Sequence, residues 1–302
     1  MKLPSNLVPG DRIAIIPPAK AIEPHFIQDA VKLLESWELN VVLSDNINSK
    51  FHQFAGSDLD RSRAFQKILD SSEIKCILCA RGGYGTTRII EDLNFEKFLE
   101  SPKWIVGYSD ITALLLHLNR MGISGIHGPM PINFHESGAE ESLNRLRHLL
   151  FNGYLTPIHF LGTPNNRQGF ASGRLIGGNL SMLVNCMGTS DDFSTDGRIL
   201  FLEDIDEYLY RIDRMLVQLK RSGKLQNLSG LIIGQFTNLQ DNDEPFGSGV
   251  EEMILRLTSG YDFPLCFNAP VGHEMPNFPL PVGQNFDLDV GKQSVVLKQS
   301  KY

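Results

Sequence analysis

Two periodicities alternate through the first half of this chain, and that alternation limits the fold more than any other feature. Four short apolar runs read as strands: Arg12 to Ile16, Leu39 to Leu43, Ile74 to Ala80 and Trp104 to Tyr108. Between them, Phe26, Ile27, Ala30, Val31, Leu33 and Leu34 recur at helical spacing and stop near Trp37. Asp58 to Leu69, Thr86 to Leu93 and Ile111 to Met121 carry the same signal, the last with Gly122 as its C-cap. Strands alternating with helices at this spacing predict a parallel sheet covered on both faces. Ligands on such sheets sit at the C-terminal strand ends. Two glycine-bearing joints fall there, Arg81-Gly82-Gly83-Tyr84-Gly85 and Gly107-Tyr108-Ser109-Asp110.

From Pro131 to Ser172 the pattern loosens. One helix, Glu140 to Leu150, precedes Gly153, Pro157 and a polar stretch from Gly162 to Gly169. The second half restores order. A helical run follows Gly177-Gly178-Asn179-Leu180, and strands are expected at Ile199 to Leu202, Gly230 to Phe236 and Leu265 to Asn268. Helices are expected at Tyr208 to Ser222 and Val250 to Leu257, with a hairpin from Phe286 to Leu297 turning near Gly291. With 302 residues, two domains are expected. The predicted organisation is an N-terminal α/β domain over 1–130 with a nucleophile elbow, a linker over 131–172, and a smaller C-terminal α/β domain over 173–302. The polar loop of the linker is placed to reach over the site.

Composition narrows the function. The net charge is −7 and no Lys/Arg block is interleaved with aromatics, which argues against a nucleic-acid partner. No run approaches the roughly 18 apolar residues that cross a bilayer, so no membrane partner is expected. The first residues, Met1 to Asn6, lack an apolar signal core, and the cytoplasm is the expected compartment. Cys76 and Cys79 form a C-x-x-C inside a strand, where positions i and i+3 face opposite sides and cannot share a metal or a bridge. Cys186 and Cys266 lie in apolar surroundings, so four buried free thiols are expected. His25, His52, His135, His148 and His159 have no carboxylate or thiol at ligand spacing. No metal or other cofactor is expected.

The joint at Ser109 leaves no residues for a relaxed loop between strand and helix. Such a turn lifts a hydroxyl above the sheet edge and sets backbone N–H groups at a helix N-terminus, which suits a nucleophile whose attack creates an oxyanion. Ordinary N-capping accounts for the same Ser-Asp pair. A serine nucleophile needs a base and an acid. His273, in the loop Ala269-Pro270-Val271-Gly272-His273 after a strand, is the first candidate base, and His127, ending Gly125-Ile126-His127, is the second. Glu203 ends a strand and opens the acidic group Glu203, Asp204, Asp206 and Glu207. The order Ser109, Glu203, His273 is that of several α/β hydrolases. Gly82-Gly83-Tyr84-Gly85 fits neither a P-loop nor G-x-G-x-x-G. Its uncovered N–H groups suit either an oxyanion donor or a plain turn.

Seven stretches taken together resemble the LD-carboxypeptidases, a family that also includes the microcin C self-immunity peptidases. They are Ala80 to Gly85, Val106 to Thr112, Gly125 to Met130, Gly177 to Leu180, Leu202-Glu203-Asp204, Ile212-Asp213-Arg214 and Gly272-His273. The resemblance implies a cytoplasmic serine peptidase, usually a homodimer, with Ser109, Glu203 and His273 as its triad. It implies the backbone N–H groups of Asp110 and Gly83 as oxyanion donors. Ile111 stands where the lipase pattern G-x-S-x-G has its second glycine, so the esterase family is not the match. The implied reaction releases D-alanine from murein tetrapeptide. A free terminal carboxylate calls for a cation or N–H cluster near the site, and Arg81, beside the glycine pair, is a candidate for that role or for a structural ion pair. Asn179 and Glu207 are candidates for polar substrate contacts. The near alternative is hydrolysis of a peptidyl- or aminoacyl-nucleotide antibiotic, which would call for an aromatic stacking residue in the linker loop. Gly162 to Gly169 contains none. A non-catalytic peptide-binding protein is the alternative from another class.

Overall fold

In the computed structural model, which describes residues 1–300, the first-half runs become β1 (Arg12–Ile16), α1 (Pro24–Ser36), β2 (Asn40–Leu43), α2 (Asp58–Asp70) and β3 (Ile74–Cys79). They continue as α3 (Glu96–Glu100), β4 (Trp104–Val106), α4 (Thr112–Arg120), β5 (Gly125–His127) and α5 (Ala139–Asn152). Local chemistry sets the helix ends. Pro24 opens α1, where a missing N–H costs nothing. A capping box starts α2: Ser57 Oγ accepts from Asp60 N at 3.2 Å, and Ser57 N donates to Asp60 Oδ2 at 3.0 Å. Gly138 and Gly153, both left-handed, bracket α5.

The second half contributes β6 (Ile158–Leu161), β7 (Gly169–Asn179), α6 (Leu180–Cys186), β8 (Arg198–Ile205), α7 (Leu209–Arg221) and β9 (Gly230–Thr237). After these come α8 (Val250–Leu257), β10 (Leu265–Cys266), β11 (Leu280–Val282), β12 (Asn285–Val290) and β13 (Ser294–Gln299). The chain divides into two compact units. One is Met1–Leu155 with Met275–Pro281, and the other is Thr156–Glu274 with the chain from Val282 onward.

The first unit's sheet runs β2-β1-β3-β4-β5 with β11 at its edge, and the pairs from β2 to β5 are parallel. Order reverses between β1 and β3, which places the crevice for a ligand at the C-terminal ends of β1, β3 and β4. The strands are apolar because both faces are covered: Ile13, Ile15, Ile77, Trp104 and Ile105 are fully buried. The second unit's sheet runs β10-β9-β8-β7-β12-β13-β6. Its β10 to β7 pairs are parallel and its β7 to β6 pairs antiparallel. The fold is α/β in both units, and no helix among the described residues is long and apolar enough to cross a membrane.

Several elements differ from expectation. Thr86 to Leu93 forms two 3₁₀ turns, Thr86–Arg88 and Ile90–Asp92, instead of a helix. Gly85 enters at φ +137°, the Thr86 N–H is taken by the Asp110 carboxylate, and the ladder breaks at Ile89. The stretch 131–172, read as a linker, holds α5 in the first unit and β6 and the start of β7 in the second. Its polar loop joins β6 to β7 and is fastened to the beginning of β10. Arg167 and Leu265 exchange backbone hydrogen bonds of 2.9 and 3.1 Å, and Arg167 Nη2 donates to Thr258 O at 2.9 Å. β8 runs on through Glu203 and Asp204 rather than stopping at Leu202. Cys76, Cys79, Cys186 and Cys266 are buried and free.

Candidate active site

In the first unit, Ser109 sits on a sharp joint. β4 ends at Val106, Tyr108 is extended (φ −143°, ψ −170°), and Ser109 turns to φ +60°. A 3₁₀ turn, Ser109–Ile111, then feeds α4. A left-handed non-glycine residue costs about 1–2 kcal/mol, and such strain persists only where neighbours enforce it. Three neighbours do so here. Gly107 N donates to Ile126 O at 3.0 Å, and a Cβ on Gly107 would lie 2.9 Å from both Cγ atoms of Ile111. The bulk two residues after the serine is therefore accepted because none stands two residues before it. The Tyr108 hydroxyl donates to Asn133 Oδ1 at 2.9 Å, and Asn133 Nδ2 donates to Glu136 Oε1 at 2.6 Å.

Asp110 ties the joint to the glycine loop. Only 2 % exposed, its Oδ2 accepts from Thr86 N at 2.9 Å and from Thr86 Oγ1 at 2.6 Å. Burial pushes this carboxyl above the ordinary aspartate value, against the lowering effect of the Thr86 hydrogen bonds. A Cβ on Gly82 would stand 3.3 Å from Asp110 N and 3.4 Å from Ser109 Cβ, so the loop lies on the joint itself. Gly83 follows at φ +104°. Arg61, absent from the sequence reading, is fully buried and holds this end of the sheet together. Its Nη1 donates to Pro18 O at 2.6 Å and Gly85 O at 2.8 Å, while Nη2 pairs with Asp58. Arg81 Nη1 donates to Ala21 O at 3.1 Å. His127 is fully buried, its ring 5.8 Å from that of Tyr108.

In the second unit, two residues 70 apart in sequence come together: His273 Nδ1 lies 2.6 Å from Glu203 Oε2. A carboxylate can only accept, so Nδ1 carries a proton, and in the neutral imidazole Nε2 holds the lone pair. Glu203 is fully buried and the His273 side chain is 10 % exposed. Burial opposes charge on the imidazole, but Glu203, with Asp204 and Asp206 nearby, outweighs it and raises the His273 pKa above the ordinary value.

The backbone of β9 makes this pairing possible. Register slips between Leu202 and Asp204, leaving Gly234 and Gln235 opposite Glu203. A Cβ on Gly234 would stand 2.3 Å from Val271 O and 3.4 Å from Glu203 Cβ, so only glycine admits the histidine loop there. Gln235 fixes that loop on both sides of His273. Its N–H donates to Val271 O at 2.9 Å, and its Oε1 accepts from Glu274 N at 2.7 Å. Neither residue was singled out from sequence, although a glycine inside an apolar strand run is a bulge signal.

The other acidic-cluster residues have distinct surroundings. Asp204 accepts from Asn179 Nδ2 at 2.7 Å and from Ser181 N and Oγ at 2.9 and 2.7 Å. Burial, reinforced by the Glu203 charge, raises its pKa to about 6 despite these donors. Asn179 is buried and N-caps α6, accepting from Met182 N at 3.2 Å. Glu207 receives Ser181 Oγ at 3.4 Å and pairs with Arg211 at 3.6 Å.

Known proteins share this arrangement of sequence. Residues 13–128 match the LD-carboxypeptidase N-terminal domain and residues 172–288 the LD-carboxypeptidase C-terminal domain. A putative carboxypeptidase of Synechocystis is 34 % identical, covering 95 % of this chain and 94 % of that one. A probable murein peptide carboxypeptidase of Bacillus subtilis is 31 % identical, covering 98 % and 94 %. Among solved structures, muramoyltetrapeptide carboxypeptidase from Oxalobacter formigenes superposes with TM-score 0.85 at 32 % identity, covering 96 % of this chain and 99 % of that one. The microcin C7 self-immunity protein, in complex with aspartyl sulfamoyl adenosine, shares the fold with TM-score 0.88 at 20 % identity, covering 99 % of both chains. With both domain models matched in order and relatives similar from end to end, the chain belongs to the LD-carboxypeptidase family of peptidases.

Proposed function

We propose that this peptidase uses Ser109 as nucleophile, His273 as base and Glu203 as the orienting acid, releasing D-alanine from murein tetrapeptide in the cytoplasm as a homodimer. The observation that carries the reading is the 2.6 Å Glu203–His273 pair in a chain that also holds a serine at φ +60° on a strand-to-helix joint. Ser109 Oγ attacks the carbonyl of the L-centre before the D-residue, and its proton passes to His273 Nε2. The oxyanion is received by the backbone N–H groups of Asp110 and Gly83. His273 then gives its proton to the amine of the departing D-alanine. Water, deprotonated by the same imidazole, releases the acyl group from Ser109. Glu203 keeps Nδ1 protonated and stabilises the imidazolium. Asn179 holds Asp204 behind the acid, and Glu207 remains the acidic group for a polar substrate contact.

Murein peptide is favoured by the names of the Bacillus subtilis relative and the Oxalobacter formigenes structure, and by the absence of an aromatic residue from Gly162 to Gly169. The shared fold with the microcin C7 self-immunity protein sets the competing substrate, a nucleotide–peptide conjugate. Incubation with tetrapeptide, pentapeptide and such a conjugate, followed by mass spectrometry, separates them. D-Alanine is expected from the tetrapeptide alone. Ser109→Ala should lower that rate on the order of 10⁶-fold with folding intact. A variant that keeps its activity removes Ser109 from the mechanism, and cleavage of the conjugate alone replaces the substrate. A wild-type protein that binds the tetrapeptide without cleaving it is a binding protein.

A further inference from the structure

A carboxypeptidase must hold the free carboxylate of the residue it removes, and only the amide nitrogen and one α-carbon separate that group from the attacked carbonyl. Four cationic side chains surround the glycine loop beside Ser109. Arg61 is spent on Pro18 O, Gly85 O and Asp58, and Arg88 on Asp58. Arg81 reaches back to Ala21 O. Lys20 is different. It follows β1 at the crevice end of the sheet, its N–H donates to Gly82 O at 3.4 Å, and its side chain is half-buried. A Cβ on Gly83 would stand 2.6 Å from Lys20 Cδ and 2.9 Å from Cε, so the aliphatic stem lies across the glycine that follows Gly82. Gly82 in turn lies against Ser109 and Asp110. The Lys20 ammonium has no hydrogen bond or ion pair among the described residues.

Resting on the carboxypeptidase reading of Ser109, the structure assigns to Lys20 the role of anchor for the terminal carboxylate of the peptide. An ammonium without an internal partner is available to a ligand carboxylate, whereas the neighbouring guanidinium groups are held by protein oxygens. Gly83 is then constrained twice, by its left-handed backbone and by the stem it carries. The assignment also predicts a preference in length. In a pentapeptide the group facing Lys20 would be an uncharged amide, and the ammonium would go unpaired.

Lys20→Met keeps the stem on Gly83 and removes the charge, while Lys20→Arg restores it. Steady-state kinetics on tetrapeptide are compared with p-nitrophenyl acetate, an ester that acylates the serine and has no carboxylate. Lys20→Met should lose about 10- to 100-fold in kcat/KM on tetrapeptide, mostly in KM, and change by less than about twofold on the ester. Lys20→Arg should recover most of the loss. An unchanged KM for tetrapeptide in Lys20→Met, or an equal loss on the ester, overturns the assignment alone. A wild-type enzyme that releases no D-alanine from tetrapeptide overturns the functional reading and the assignment with it.

Discussion

In the first unit the position of Ser109 is set by backbone, through a φ of +60°, the missing side chain of Gly107 and the glycine loop lying on the joint. In the second, once Gly234 admits the loop, His273 is oriented by side chains: the carboxylate of Glu203 on one ring nitrogen and the amide of Gln235 on the flanking loop. Backbone-set geometry should fail through steric change and resist loss of the reacting group. Side-chain-set geometry should survive sterically conservative changes and fail electrostatically.

The largest contrast is expected from Glu203→Gln, which keeps shape and removes charge. It should cost on the order of 10³–10⁴ in kcat, by loss of the correct tautomer and of imidazolium stabilisation. The pH profile carries the sign. Because Glu203 raises the His273 pKa, the acidic limb of kcat/KM in the wild type should lie above the ordinary imidazole value, and the variant's limb should move to lower pH. The same linkage makes the pair's contribution to stability full below the unfolded-state histidine pKa and lost as pH rises through the folded one. A limb that stays in place would remove Glu203 as the charge partner.

A smaller effect is expected from Gly107→Ala, where the new methyl meets Ile111. Denaturant unfolding should show a loss of about 1–3 kcal/mol, largely recovered in Gly107→Ala/Ile111→Ala. If the double variant is no more stable than the single, the joint is not held by that pair. Smallest is the strain at Ser109 itself. Ser109→Gly should be more stable than Ser109→Ala by about 1 kcal/mol, because glycine accepts positive φ without a Cβ clash. Equal stability would mean that the backbone there relaxes freely.

The same contrast explains what the sequence could reveal. Runs such as Arg12 to Ile16 and Asp58 to Leu69 announced themselves because strand and helix period are local properties. So did the joint, since strand, Gly-Tyr-Ser-Asp and helix adjoin with nothing between. Thr86 to Leu93 misled because its apolar spacing is helical, while the group that fixes its start, Asp110, lies 24 residues away. β6 and β11 are short, and their partners, β13 and the first sheet, lie far along the chain. Gln235 and Lys20 carried no signal at all. Each matters through contacts that only the folded backbone creates.

The short return of residues 275–281 to the first unit has a consequence for biosynthesis. β11 completes a sheet whose other five strands are finished by His127, about half a chain length earlier. During vectorial synthesis β5 therefore waits as an open edge, paired with β4 on one side and with its outward N–H and C=O groups unpaired, while the whole of Thr156–Glu274 is made. A nascent chain stalled anywhere in that interval presents a ready template for another strand, and a fragment cut at Leu155 would carry the same exposed edge permanently.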